Sequence, residues 1–242
     1  MNKAISVIME TPNFLALYKP AGLLVHSAPV SKKRAVKAEE TLVDWLIKKY
    51  PEVKSVGDNP QIRPGIIHRL DKETSGVIIV ARNQHFFDYL KNAFQQHLVK
   101  KTYIALVCGH PPESGVINKP IGLKPGTIKR TVHITKNTKM IKEAITEYKV
   151  KKYLEIKEEQ FALVELFPKT GRTHQIRVHL ASIGHPIIGD PLYGPKKNPL
   201  GTTRQFLHAE SIEFSSEDGK RVKLEAELPE EIASFTGLAQ NK

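Results

Sequence analysis

The chain has 242 residues, 40% of them hydrophobic and 26% charged, enough to bury a core in one large domain or two small ones. No apolar run nears the roughly 20 residues of a membrane-spanning helix, and Glu10 and Pro12 interrupt the N-terminus where a secretory signal needs an apolar core, so a cytoplasmic protein is expected. The single cysteine, Cys108, excludes an internal disulfide and a cysteine-built zinc site.

The formal net charge of +12 points to a polyanionic partner. The charge is also segregated. Lys119, Lys124, Lys129, Arg130, Lys136, Lys139 and Lys142 fall in one stretch without an acidic residue, while acidic residues gather at 155–159 and 225–231. A smaller basic cluster, Lys32-Lys33-Arg34 with Lys37, stands early in the chain. A solvated loop that contacts nothing would tolerate such a composition, but the complete lack of acid in 119–142 favours an arm that grips a phosphate backbone.

In chain order, Ile5–Met9 and Phe14–Tyr18 are expected to be strands around the turn Thr11-Pro12-Asn13. Lys19-Pro20-Ala21-Gly22 forces a tight turn, and residues 27–40 are a polar, basic loop. Thr41–Tyr50 is an amphipathic helix stopped by Pro51, and Asn83–Gln96 is a second, with Phe86, Leu90 and Phe94 four apart. Between them lies GIIHRLDKETSGVIIVA, Gly65 to Ala81, in which the β-branched run Val77–Val80 is a buried strand. A strand over Tyr103–Cys108 leads to a turn at Gly109–Gly115, and 119–142 is a flexible hairpin or arm. Ala144–Val150, Tyr153–Ile156 and Phe161–Phe167 are separate strands, followed by a helix over Thr173–Ile183 and a Gly/Pro-rich loop, Gly184–Gly194. Strands at Gln205–Phe214 and Arg221–Ala226 precede a short helix opened by Pro229. Strands outnumber helices without alternating with them, which predicts an α+β fold: a mostly antiparallel mixed central sheet flanked by helices and loops.

Within the charged loop of Gly65–Ala81, His68-Arg69-Leu70-Asp71 with Thr74-Ser75-Gly76 strongly resembles the signature of the RluA-type pseudouridine synthases, which convert selected uridines of structured RNA to pseudouridine. Lys19-Pro20-Ala21-Gly22 with His26 is similar to the family's first motif, and Lys101-Thr102-Tyr103-Ile104-Ala105 to the segment carrying its active-site tyrosine. Gly171–His179, GRTHQIRVH, resembles the arginine-bearing motif, and Gly184-His185-Pro186, Gly189-Asp190, Tyr193-Gly194 and Leu207-His208-Ala209 match further marks. The resemblance runs from about Tyr18 to Ala209 and implies the pseudouridine synthase catalytic fold over 1–242, with the basic arm inserted at about 119–142. The first motif begins at Lys19, so no separate N-terminal RNA-binding domain is expected.

The resemblance makes Asp71 the nucleophile, Arg177 its ion-pair partner and Tyr103 the residue that packs on the target uracil. The chemistry is consistent with those types. Breaking the glycosidic bond, rotating the base and rejoining carbon-5 to the sugar is an isomerisation, which needs no cofactor or metal but does need an ionised carboxylate. Burial alone would neutralise that carboxylate, and an arginine beside it keeps it charged. Whether it attacks the sugar or the uracil ring is not fixed by the sequence. Because the uridine must leave its stack, Arg69 is a candidate for filling the vacated space or gripping the backbone; a plain salt bridge is the equal alternative. His174 and His179, five apart, do not have the four-residue spacing of a helical zinc pair, and scaffold hydrogen bonds are expected of them and of His185 and Asp190. The expected partner is structured RNA, ribosomal or transfer, met by a monomer without membrane or small-molecule cofactor. A non-catalytic RNA-binding or ribosome-associated protein on the same fold is the alternative. A methyltransferase would need a glycine-rich cofactor loop after its first strand, and none is present.

Overall fold

The structure, a computed structural model, describes residues 4–27 and 39–236. The basic cluster at 32–37 lies outside the described residues. The chain divides into two compact units, Met1–Val99 with Ser211–Glu227, and Lys100–Glu210 with Leu228–Lys242. The first unit opens with strands β1 (Ser6–Glu10) and β2 (Phe14–Lys19), helix α1 (Leu42–Lys49), strand β3 (Ser75–Ala81) and helix α2 (Gln84–Gln95). The second holds β4 (Lys100–Cys108), β5 (Ser114–Asn118), β6 (Ile121–Leu123), β7 (Arg130–Thr131), β8 (Lys139–Lys142), β9 (Ile145–Ile156), β10 (Glu159–Pro168) and helix α3 (Gln175–Ser182). Strand β11 (Leu207–Ser215) begins in the second unit and ends in the first, which also takes β12 (Arg221–Glu225); α4 (Glu230–Thr236) returns to the second.

In the first unit β1 pairs β2 and β2 pairs β3, both antiparallel, the latter from Phe14↔Ala81 to Lys19↔Gly76. Every residue of β2 and β3 is buried, and the two-residue strand period explains how. Phe14, Ala16, Tyr18, Val77 and Ile79 face one way and pack with Phe86 and Leu90 of α2 and with Ile212, Phe214 and Leu224 of β11 and β12. Leu15, Leu17, Ile78 and Val80 face the other way, onto Leu42, Val43 and Leu46 of α1. Helix α1 starts where Thr41 and Asp44 form a reciprocal capping box, and α2 where the Asn83 side chain accepts the Phe86 N–H.

In the second unit β4, β10, β9 and β5 are paired antiparallel in that order, consistent with the α+β expectation. One face of this sheet packs Ala105, Val107, Val164 and Leu166 against Ile176 and Leu180 of α3. A separate three-stranded sheet, β7-β6-β8, forms the arm and is antiparallel too. Three local expectations are refined. The two strands expected at 144–156 are one, β9, whose register with β10 shifts between Leu163 and Val164. The turn expected at Gly109–Gly115 ends at Ser114, where a strand not marked in the sequence, β5, begins and pairs with β9. The arm, expected to be a flexible hairpin or arm, is a three-stranded sheet that includes the β6–β7 hairpin. Among the described residues no helix is long and apolar enough to cross a membrane.

Candidate active site

The Asp71 loop belongs to the first unit and is fixed at both ends. Upstream, Gly65 adopts φ 68° and its carbonyl accepts the Ala81 N–H at 2.9 Å. A Cβ there would lie 2.7 Å from the Ala81 carbonyl oxygen, so only glycine permits the approach. His68 Nε2 accepts the Ile79 N–H at 3.0 Å, and its ring stacks on Phe94 with centroids 5.0 Å apart. The imidazole thus serves a strand N–H as a neighbouring carbonyl would. Downstream, the Asp71 carbonyl accepts the Thr74 N–H at 3.1 Å.

The carbonyl of Lys72 is held twice, by Gly22 N at 2.9 Å and by Lys19 Nζ at 3.0 Å. Lys19 is fully buried, and its ammonium also donates to the carbonyls of Pro20 at 2.7 Å and Leu23 at 2.8 Å. An ammonium has three N–H donors, and three carbonyls meet them. The Lys-Pro-Ala-Gly turn and the Asp71 loop are therefore one construction. Asp71 itself is half-buried, between the buried Leu70 and the buried pair Thr74-Ser75. Arg69 is exposed, with Nη1 3.5 Å from His26 Nε2, so the arginine of the loop meets the histidine of the first motif.

Tyr103 and Arg177 belong to the second unit. Tyr103 stands on β4 opposite Leu166, half-buried against the apolar cluster that includes Ile176 and Leu180. Lys101 lies two residues earlier on the same face of β4, and burial pulls its ammonium down to about 8. Burial, with a smaller contribution from the Glu159 charge, pushes the Cys108 thiol up to about 11, as befits an inert residue.

Arg177 is in the first turn of α3. The helix is shorter than expected from the sequence, because His174 takes a left-handed conformation (φ 55°) and leaves Thr173 and His174 outside it. The Arg177 guanidinium forms a two-pronged pair with Asp190, Nε to Oδ2 at 2.7 Å and Nη2 to Oδ1 at 2.8 Å, with side chains only 6% and 0% exposed. Such a fork fixes the guanidinium plane. Asp190 Oδ1 also accepts the N–H groups of Leu192 at 2.9 Å and Tyr193 at 3.1 Å. The Tyr193 ring lies 5.2 Å from the Arg177 carbon Cζ, and its hydroxyl meets His174 Nδ1 at 3.0 Å and accepts the Arg130 N–H at 2.7 Å.

The rest of α3 is braced by neutral polar groups. Gln175 Nε2 donates to Thr146 Oγ1 at 3.0 Å, and its Oε1 accepts from Thr170 at 2.7 Å. Buried His179 donates from Nε2 to the Lys119 carbonyl at 3.0 Å, so Nδ1 is the acceptor for Thr146 Oγ1 at 2.9 Å. Burial, more than any other influence, lowers the His179 pKa and keeps the ring neutral.

The predicted RNA-contacting residues separate into two kinds. Lys124, Lys136, Lys139 and Lys142 are exposed. Lys119 donates to the Ser182 carbonyl at 3.1 Å at the end of α3, and Lys129 to the Leu192 carbonyl at 3.0 Å. Arg130 is half-buried, with its Nε buried and without a partner. The sequence marked Asp190 as a family feature with a scaffold hydrogen bond, Tyr193 as a family feature, and Lys19 as part of a turn in the first motif. The Asp190-Pro191 step signals an aspartate capping its own turn, but nothing local signals a pair with Arg177, 13 residues earlier.

Residues 13–182 match the profile of the RNA pseudouridylate synthase family. An uncharacterized RNA pseudouridine synthase of Chloroflexus aurantiacus is 41% identical over 79% of this chain and 55% of its own length. The ribosomal large subunit pseudouridine synthase D of Zymomonas mobilis is 34% identical over 94% of this chain and 70% of its own length. The chain thus spans between about half and seven tenths of these two relatives. The fold is shared with human RNA pseudouridylate synthase domain containing 1, with a TM-score of 0.74 at 24% identity, over 93% of this chain and 83% of that one. Human RNA pseudouridylate synthase domain containing 4 gives a TM-score of 0.72 at 25% identity, over 96% and 92%. Sequence and fold agree over most of the chain, and it belongs to the RNA pseudouridylate synthase family.

Proposed function

We propose that this protein isomerises uridine to pseudouridine in structured RNA, with Asp71 as nucleophile, Arg177 as the cation that keeps Asp71 ionised, and Tyr103 as the surface on which the uracil packs. The observation that carries the reading is the buried Arg177–Asp190 fork on α3. A guanidinium has five N–H donors; this fork engages Nε and Nη2 and sets the plane in which Nη1 is presented. Because Asp190 offsets much of the arginine's charge, Arg177 serves Asp71 through an oriented hydrogen bond as much as through net charge. Asp71 sits in a loop whose backbone is clamped on both sides, which supports a carboxylate that must meet a carbon atom at one geometry. Arg69 is exposed beside His26 and suits the space left when the uridine leaves its stack. The exposed lysines Lys124, Lys136, Lys139 and Lys142 follow the RNA backbone. The protein acts as a monomer in the cytoplasm, and large-subunit ribosomal RNA, which relatives are named for, is the substrate proposed before transfer RNA.

The test is incubation of the protein with large-subunit ribosomal RNA or transfer RNA in buffer without any cofactor, followed by quantification of pseudouridine. Product from ribosomal RNA is expected. Asp71→Asn should lower turnover by at least about a thousand-fold while RNA affinity stays within a few-fold. Full activity of that variant would remove Asp71 as nucleophile, and RNA binding without product from the unaltered protein would leave a binding protein on this fold.

A further inference from the structure

The arm carries a second kind of exposed side chain. Of the nine large hydrophobic residues that are exposed among the described residues, four lie between 128 and 141: Ile128 at 76%, Met140 at 62%, Ile141 at 47% and Ile134 at 41%. A single exposed isoleucine is ordinary on a protein surface, whereas four within 14 residues, interleaved in sequence with Lys129, Lys136, Lys139 and Lys142, concentrate exposed apolar side chains in the arm. The arm's own small core does not use them. It consists of Ile121 with Ala144 and Val178, and Val132 and Tyr193 packed alongside.

Ile128 is presented by a well-formed turn. The Thr127 N–H reaches the Lys124 carbonyl at 3.3 Å across Pro125-Gly126, with Gly126 at φ 70°. Proline then glycine at these positions is the chemistry of a type II turn. Lys124 N to the Lys129 carbonyl at 3.0 Å closes the hairpin, and Thr127 Oγ1 bonds the Lys124 carbonyl at 3.0 Å and the Lys129 N–H at 3.2 Å. The base of the turn is tied down where Lys129 Nζ meets the Leu192 carbonyl and Arg130 N–H meets the Tyr193 hydroxyl. Residues 190–193 also clasp Arg177, so the tip is fastened to the same short segment that orients that arginine. Met140 holds a left-handed backbone (φ 53°) rarely adopted by a residue of its kind, and it is exposed.

We propose that Ile128 and Met140 pack against unpaired nucleobases beside the target uridine, so that the arm reads single-stranded RNA as well as following phosphates. The proposal rests on the RNA-modifying reading above and names which feature of the RNA the arm engages. Lysines without acid attract a polyanion. Apolar side chains among them suit a polyanion that also exposes flat apolar faces, as RNA does in loops and bulges and not in a continuous duplex.

The full-length protein decides the matter by binding titrations at several salt concentrations, with a hairpin-loop fragment of large-subunit ribosomal RNA and a fully paired RNA duplex of equal length as probes. The double variant Ile128→Ser with Met140→Ser should bind the loop fragment roughly ten-fold more weakly, the loss of partial apolar burial of the two side chains. Its slope of log affinity against log salt and its duplex affinity should be unchanged. Lys136→Gln, Lys139→Gln and Lys142→Gln combined should flatten that slope by about two to three. Unchanged loop affinity in the apolar double variant overturns the proposal, as does an equal loss on loop and duplex. A loss of binding to anionic lipid vesicles with RNA binding intact overturns it in favour of a membrane contact. An unchanged slope in the lysine variant is a different result: it removes the arm from RNA binding altogether.

Discussion

Asp71 and Arg177 are both held by buried polar contacts, but the contacts differ in kind. In the first unit the clamps act on the backbone around Asp71: a buried ammonium gathers three carbonyls, and an imidazole receives a strand N–H. In the second unit the clamp acts on the functional group itself, since Asp190 grips the Arg177 guanidinium directly. In the role proposed for Asp71, a nucleophile is best supported through the chain on either side, which leaves its carboxylate for chemistry. In the role proposed for Arg177, an orienting cation is gripped directly, because the two donors given to Asp190 fix the plane of the whole guanidinium. The support of Arg177 should therefore be the more costly to remove, because its loss strands a charge.

Asp190→Ala is the sharpest way to break that contrast. A buried arginine stripped of its carboxylate typically costs about 3–5 kcal/mol, which lowers the denaturant midpoint of the second unit. Asp190→Asn keeps an oxygen for the N–H groups of Leu192 and Tyr193 and should cost less, yet still lower kcat with RNA affinity unchanged. If Asp190→Ala melts with the unaltered protein, the fork is not what holds Arg177. On the other side, Lys19→Met leaves three carbonyls without their ammonium but removes a buried charge. The loss should be smaller, about 1–3 kcal/mol, with RNA affinity intact. Equal losses at the two positions would mean that backbone and side-chain clamps do not differ as argued.

The same contrast explains what the sequence disclosed. Backbone-level features were legible because they are local: the β-branched run Val77–Val80 that marks a buried strand, the four-residue spacing of Phe86, Leu90 and Phe94 that marks α2, and the chain order of motifs around Asp71. The hairpin from β9 to β10 was hidden because its two-residue turn is Lys157-Glu158. Both residues have positive φ (52° and 65°) where Asn-Gly would have announced it. Strand β5 was obscured by the prolines and glycine before it, and the arm's sheet by strands of two to four residues. The Arg177–Asp190 pair joins a helix to a loop, and only the fold makes it. Lys19 read as a turn residue because burial of its ammonium is a property of the carbonyls that surround it, which are contributed from as far away as Lys72.

The smallest effect concerns how α3 is supported rather than Arg177 itself. His179 lies in that helix and must be neutral to donate to the Lys119 carbonyl while accepting from Thr146. Its folded pKa is lowered from 6.5, first by burial and then by the Lys119 charge, against a raising contribution from the Lys119 carbonyl. Between the lowered folded value and 6.5 the unfolded chain binds the proton and the folded chain does not. His179 therefore leaves stability flat above pH 6.5 and reduces it as the pH falls below that value, by at most about 1.4 kcal/mol per pH unit. Denaturant midpoints of the unaltered protein and His179→Gln, measured between pH 5 and 8, should converge toward acid pH, because the glutamine has no proton to take up. Parallel pH curves would show that His179 does not carry this sensitivity and that α3 is held by Gln175 and Lys119 without it.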